Sequence, residues 1–275
     1  MSTDAITTEP LIAEGDVLLD LESTGVGRIR LNRPKAANGM NVPFLEALHA
    51  AILRCLAEPR VKAVLLTGEG KNFCAGGDVR EFASKGEALP EYLREATAVL
   101  QHAASALMRL EVPVIAAVQG FAAGGGGFGL VCAADLVIAG ESSKYMSAAT
   151  RAGMAPDAGT SVTLSKIVGF RRAMEIVLAD RVLTAQEALE IGLVTKVVPD
   201  DALVDEALTL ARRLAGGPTL ALGETKRLMW EGLSGNVESR MPDEARTVSV
   251  LSGSFDAREG LAAVLERREP RYEGR

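Results

Sequence analysis

Two short stretches offer backbone amides to a negative oxygen. One is "CAGGD", Cys74–Asp78; the other is the glycine run Gly124–Gly127 within "GFAAGGGGFGLVCAAD". Each follows an apolar run and precedes a helix-like pattern, so each leaves bare N–H groups near a helix start. Two such donors converging on one point make an oxyanion hole, each worth about 3 kcal/mol to a developing enolate or tetrahedral oxygen. Tight turns without chemistry have the same spacing, because glycine turns after strands are common. A third feature is Asp157 in "PDAGT". Taken alone, it reads as the N-cap of the helix-like "AGTSVTLSKIV" that follows.

Other chemistries find no footing. In "LLTGEGKNFCAGGDVREF" the third glycine of a dinucleotide fingerprint falls at Phe73, and Lys71 is followed by Asn72 rather than Ser or Thr, so a phosphate loop fails too. Cys55, Cys74 and Cys132 are far apart, with no CxxC pair, and His49 and His102 are the two histidines. Neither a zinc site, a disulfide frame nor a His-rich metal centre is supported. A net charge of −6 argues against a nucleic-acid-binding face but leaves room for a small anionic ligand. The start, "MSTDAITTEPLIAEGD", lacks the basic and apolar regions of a signal peptide. The apolar region Val114–Ala139 is interrupted by Gln119, the glycines and Asp135, and reads as strand–turn–helix–strand rather than a membrane span. A reducing cytoplasm is the default expectation.

The elements that must position these residues follow from periodicity. With 275 residues, 48% of them apolar and 4% aromatic, the chain can bury a large core of closely packed α/β elements. "DVLLDLESTGVGRIRLNRP" predicts a hairpin. "NVPFLEALHAAILRCLAE" predicts a helix with Asn41 as N-cap and Pro43 in its first turn. "VKAVLLTGEG", "VPVIAAVQG" and "DLVIAG" are buried strands, "EYLREATAVLQHAASALMRL" is a long amphipathic helix, and the glycine run opens a helix reaching about Ala133. The order points to stacked ββα units or a mostly parallel sheet. A last strand, "LVTKVVP", precedes a mainly helical remainder, so the expected division is residues 1–200 as the core and 201–275 as a C-terminal helical region. "ETKRLMWEGL" and "REGLAAVLERREP" carry apolar stripes suited to docking on the chain's own core or on a neighbouring subunit. "FASKGEALPEY" is expected to form a flap over the site.

"GEGKNFCAGGDVREF", "PVIAAVQGFAAGGGGFGLVCAADLVIAG" and "ALEIGLVTKVVP" resemble the signatures of the crotonase family, the enoyl-CoA hydratases and isomerases. The resemblance runs from about Asp16 into the C-terminal helices. It implies a spiral of ββα units with a C-terminal helical region that forms trimers or dimers of trimers. It implies an acyl-CoA thioester as substrate, as in fatty acid metabolism, with no metal and no further cofactor. The thioester oxygen would be held by the N–H groups of Gly77 and Gly125. The substrate-binding set carried over comprises Lys35, Ala36, Ala75, Asp78, Val79, Arg80, Gly124, Phe128, Ala149 and Lys226. Arg80 matches a basic position near the nucleotide of coenzyme A, Lys35 lies in a segment lining that site, and Lys226 would reach a phosphate from the C-terminal helices. Solvated surface charges are the alternative reading of all three.

The chain departs from the lyase pattern of the hydratases at two positions. Their paired glutamates fall at Phe128 and Ala149, and an apolar pair cannot hold and deprotonate a water. Asp157, however, matches a position where family isomerases carry Asp or Glu, and so resembles a catalytic base as well as a cap. Phe128 and Ala149 would then make a drier pocket that raises the pKa of a carboxylate. A family dehalogenase also carries Asp there, but its His and Trp fall at Gln101 and Ala149. His102 is one residue away, about 100° around a helix. Cys74 reads as a packing residue, and Tyr145 and Ser147 as pocket lining. The expected reaction is a double-bond shift in an unsaturated acyl-CoA. An atypical hydratase or thioester hydrolase, and a non-catalytic acyl-CoA-binding paralogue, are the alternatives.

Overall fold

The computed structural model describes residues 5–275. Met1–Asp4, on which part of the leader-peptide reading falls, lie outside the described residues. The strands are β1 (Thr8–Ile12), β2 (Val17–Glu22), β3 (Val26–Leu31), β4 (Ala63–Gly68), β5 (Val114–Val118), β6 (Phe121–Ala123), β7 (Leu136–Gly140), β8 (Lys144–Met146), β9 (Leu183–Thr184) and β10 (Lys196–Val198). The helices are α1 (Val42–Ala57), α2 (Val79–Ser84), α3 (Leu89–Arg109), α4 (Gly124–Ala133), α5 (Thr160–Val168), α6 (Phe170–Leu178), α7 (Ala185–Glu190), α8 (Leu203–Ala215), α9 (Thr219–Gly232), α10 (Val237–Leu251) and α11 (Phe255–Glu266).

A seven-stranded sheet runs in the order β1-β2-β3-β4-β5-β7-β10. β1, β2 and β3 pair antiparallel, and from β3 to β10 every pairing is parallel. The central strands β4 and β5 are buried on both faces, as parallel strands covered by helices must be. One face packs Val64, Leu66, Val114 and Ala116 against the inner sides of α1, α3 and α4. The other packs Ala63, Leu65, Ile115 and Ala117 against Leu203, Ala207, Leu208 and Ala211 of α8. Glu22 on β2 accepts two hydrogen bonds from Arg212 of α8, at 2.8 and 3.0 Å. The line between residues 200 and 201 therefore falls between β10 and α8, and core packing crosses it. The α/β order read from the sequence is the observed one, and Asn41 caps α1 by accepting from the Phe44 amide at 3.1 Å.

Two features are additions. Strand β1 is mostly exposed and edges the large sheet, where the sequence reading placed no element. A second sheet, β6-β8-β9, is made of strands of two or three residues, too short for an alternating pattern. The expected flap is helical: α2, one 3₁₀ turn at Gly86–Ala88, and the start of α3. Among the described residues no helix is long and apolar enough to cross a membrane. Helices α10 and α11 leave Val237, Met241, Val248, Val250, Val264 and Leu265 exposed.

Candidate active site

The two glycine junctions meet. After β4 the chain turns back so that Cys74 bridges Ala122 of β6: the Cys74 amide donates to Phe121 O at 3.0 Å and the Ala123 amide to Cys74 O at 2.9 Å. Met40, just before α1, holds the same loop from the other side. Its amide donates to Gly76 O at 2.8 Å, and its carbonyl accepts from the Asp78 amide at 2.9 Å. Gly76 (φ 97°) and Gly124 (φ 64°) touch backbone to backbone. A β-carbon on Gly76 would lie 2.9 Å from Ala123 O and 3.2 Å from Gly124 Cα, and one on Gly124 would lie 3.8 Å from Gly77 N. Both positions thus need glycine for conformation and for space. The Gly125 amide lies in the first turn of α4, where no intrahelical acceptor exists. Neither it nor the Gly77 amide has a hydrogen-bond acceptor among the described residues, and both glycines are half-exposed.

Asp157 stands against Gly125. A β-carbon on Gly125 would fall on the Asp157 carboxylate. The turn that presents it is tight: Ala158 and Gly159 have φ of 51° and 78°, and the Thr160 amide donates to Asp157 O at 2.9 Å. Gly129 of α4 lets this turn approach, since a methyl there would sit 2.7 Å from Ala158 Cβ. The residue preceding α5 is Gly159, with no side-chain cap. The capping role that the sequence alone offered Asp157 is therefore not the one observed. Burial pushes the Asp157 carboxyl above the usual range, partly offset by its own backbone amide. Its side chain makes no hydrogen bond to any other described residue.

Phe128 is 1% exposed and belongs to the main core. Ala149 is half-exposed and opens a 3₁₀ turn, Thr150–Ala152. That turn is pinned by Asp180, which accepts from the Ala148 amide at 3.0 Å and pairs with Arg151 at 2.6 Å. Neither residue can carry a proton.

The residues expected on the coenzyme side fall into two groups. Ala75 joins the Lys35 segment through its amide, which donates to Ala37 O at 3.0 Å, and Ala75, Val79 and Arg80 are exposed on the same loop. Lys35 and Ala36 line a surface cleft of about 410 Å³ with Asp16, Asn32, Arg33 and Pro34. Asp78 caps α2 through the Glu81 amide at 3.2 Å and pairs with Arg33 at 3.2 Å. Lys226 lies elsewhere, and both sequence readings of it need correcting. Its ammonium is buried, 2.9 Å from Asp135 and 3.1 and 3.2 Å from the carbonyls of Leu107 and Val112. A cation so engaged inside the fold is neither a solvated charge nor free to reach a phosphate. Burial lowers its pKa, and Asp135 opposes that shift.

The family profile described as Enoyl-CoA hydratase/isomerase matches residues 22–275. The chain belongs to this enzyme family. A probable enoyl-CoA hydratase of Rhodobacter capsulatus is 39% identical over 253 residues, which is 92% of this chain and 96% of that protein. The 1,2-epoxyphenylacetyl-CoA isomerase of Escherichia coli is 34% identical, covering 94% of this chain and 99% of its own. The crystal structure of an enoyl-CoA hydratase from Bacillus anthracis superposes with a TM-score of 0.89 at 33% identity, over 95% of this chain and all of that one.

Within this enoyl-CoA hydratase/isomerase fold, two residues that hold the site went unnoticed in the sequence. Asn38 is fully buried. Its side-chain NH₂ donates to the carbonyls of Glu69, Asn72 and Phe73 at 2.9–3.0 Å, and its Oδ1 accepts from the Arg33 amide at 2.8 Å. It thereby ties the Lys35 segment to the loop carrying Gly77, and Asn-Gly at 38–39 was the available turn signal. Phe82 of α2 lays its ring where a Gly77 β-carbon would be, backed edge-on by Tyr92 at 6.0 Å. That pairing crosses from α2 to α3 and leaves no periodic trace.

Proposed function

We propose that this enzyme shifts a double bond in an unsaturated acyl-CoA, from the 3-enoyl to the 2-enoyl thioester. In this reading the Gly77 and Gly125 amides hold the thioester oxygen and stabilise the dienolate by about 3 kcal/mol each. Asp157 removes the proton from C2 and returns it at C4. The observation that carries the reading is the seat of Asp157: a carboxylate without a partner side chain, set against Gly125, whose own amide is open. Its raised pKa suits a base that must give its proton back. One carboxylate suffices for a 1,3-shift, whereas hydration normally uses two, and Phe128 and Ala149 supply none. The reaction asks for no metal and no redox cofactor.

Lys35 and Arg80 are proposed to face the coenzyme's phosphates, beside the cleft at Lys35. A homotrimer, or a dimer of trimers, is the proposed assembly, supported by the exposed apolar side chains of α10 and α11. Three buried free cysteines suit a reducing compartment such as the cytoplasm.

The test uses purified enzyme with 3-enoyl-CoA, 2-enoyl-CoA and 1,2-epoxyphenylacetyl-CoA, the last because of the Escherichia coli relative. The expected result is isomerisation of the 3-enoyl thioester and its loss in Asp157→Asn. An Asp157→Asn variant that isomerises as fast as wild type would falsify the role given to Asp157. Conversion of the 2-enoyl thioester to a 3-hydroxyacyl product as the main activity would replace the reading with hydration.

A further inference from the structure

The chain has two histidines in 275 residues, and the fold makes them neighbours. His49 lies on α1 and His102 on α3, helices packed side by side on the main core. Their ring centres are 5.9 Å apart and their planes are tilted by 33°. His49 is half-buried and His102 exposed. Neither takes part in the chemistry described above.

We infer that His49 and His102 form a two-point clamp for a borderline divalent cation such as Ni²⁺, Cu²⁺ or Zn²⁺, joining α1 to α3. Neutral imidazole is the common protein ligand for these ions. A cation bound by an imidazole nitrogen lies about 3.2 Å from the ring centre, so two rings sharing one cation have centres ~4.5 Å apart at the right angle that Ni²⁺ and Cu²⁺ prefer, ~5.2 Å at the tetrahedral angle and ~6.4 Å on opposite sides of the cation. The observed separation falls inside that window, and His102, being exposed, can turn its ring to complete the approach. Among the described residues no third His, Cys, Asp or Glu joins a metal-holding group, so water completes the coordination and the site is open. The softer donors do not compete: Cys55, Cys74 and Cys132 are buried, and burial pushes each thiol up to about 12. A cation held this way needs both helices in place, so it stabilises the folded chain alone. The clamp is independent of the reaction assigned to the active site.

The experiment uses untagged full-length protein. Melting curves are recorded with NiCl₂, and electron paramagnetic resonance with one equivalent of CuCl₂. The expected result is a rise in Tm of about 5 °C at a hundredfold excess of Ni²⁺ over its Kd. The Cu²⁺ spectrum should show coupling to two nitrogens. His49→Gln and His102→Gln should each abolish the shift and reduce the coupling to one nitrogen or none. If His49→Gln weakens the fold, His102→Gln, at an exposed position, carries the test alone. A Tm unmoved by Ni²⁺, a shift that survives the double variant, or a wild-type spectrum with a single nitrogen overturns the clamp.

Discussion

Two carboxylates flank α4, and their surroundings are opposite. Asp135, just past its C-terminal end, accepts from Trp230 Nε1 at 2.7 Å and the Val114 amide at 2.8 Å, and pairs with Lys226 at 2.9 Å. Asp157, at its N-terminal end, has its own amide and no other described donor. Both are half-buried. The first is a joint: it fastens α9 to β5 and the end of α4, with both oxygens engaged. The second keeps its lone pairs available, beside amides that are also unoccupied. A half-buried carboxylate left without partner side chains costs the fold stability, and that cost is consistent with the role proposed for Asp157.

The contrast is broken or sharpened by substitution. The largest expected effect is on turnover: Asp157→Asn should lower kcat about a thousandfold while leaving the fold intact, measured with the 3-enoyl thioester. Gly125→Ala should do nearly as much, because its methyl would occupy the carboxylate's place. Lys226→Met should act in the reverse sense. It should lower stability by about 3–5 kcal/mol by leaving Asp135 partly uncompensated, with kcat of the folded fraction within about threefold of wild type; urea unfolding and kinetics on one preparation decide it. Trp230→Phe removes one hydrogen bond from Asp135 and should lower stability by about 1–2 kcal/mol, again without a change in kcat.

The smallest effect is one of pH. Burial raises the Asp157 carboxyl, so the folded chain keeps that proton to higher pH than the unfolded chain, whose ordinary value is 3.8. The resulting destabilisation is absent below 3.8 and complete above the raised folded value. Asp157→Asn should therefore melt at or above wild type at neutral pH, and level with it at about pH 3. For the same reason the acid limb of kcat/KM should lie above the ordinary carboxylate range. A limb at or below it would show that Asp157 is better solvated than its seat against Gly125 implies.

The same pair shows where sequence reading stops. The long elements were legible because apolar periodicity declares them: α1, α3, β4, β5 and the helix opened by the glycine run all stand where expected. Gly77, Gly125 and Asp157 stood out in the sequence because motif and resemblance coincide there, and the structure sets Gly125 against Asp157 and Gly124 beside Gly77. Lys226 was misread for a physical reason. A lysine on an amphipathic helix looks solvated unless its counter-charge is known, and Asp135 is supplied from a distant part of the chain. The 3₁₀ turn at Thr150–Ala152 depends in the same way on Asp180, and the seat of Gly77 on Phe82. Long-range partners and strands of two or three residues leave no local pattern to read.

The contact of Gly76 with Gly124 has a consequence for how such a scaffold changes its trade. On the proposed reading the grip on a carbonyl is built from main chain alone, with no rotamer to retune, while the proton is moved by one side chain, Asp157, hung beside it. Exchanging side chains around such a grip leaves it untouched, so one backbone can host successive reactions that share a charged oxygen and differ only in where hydrogen is taken and given.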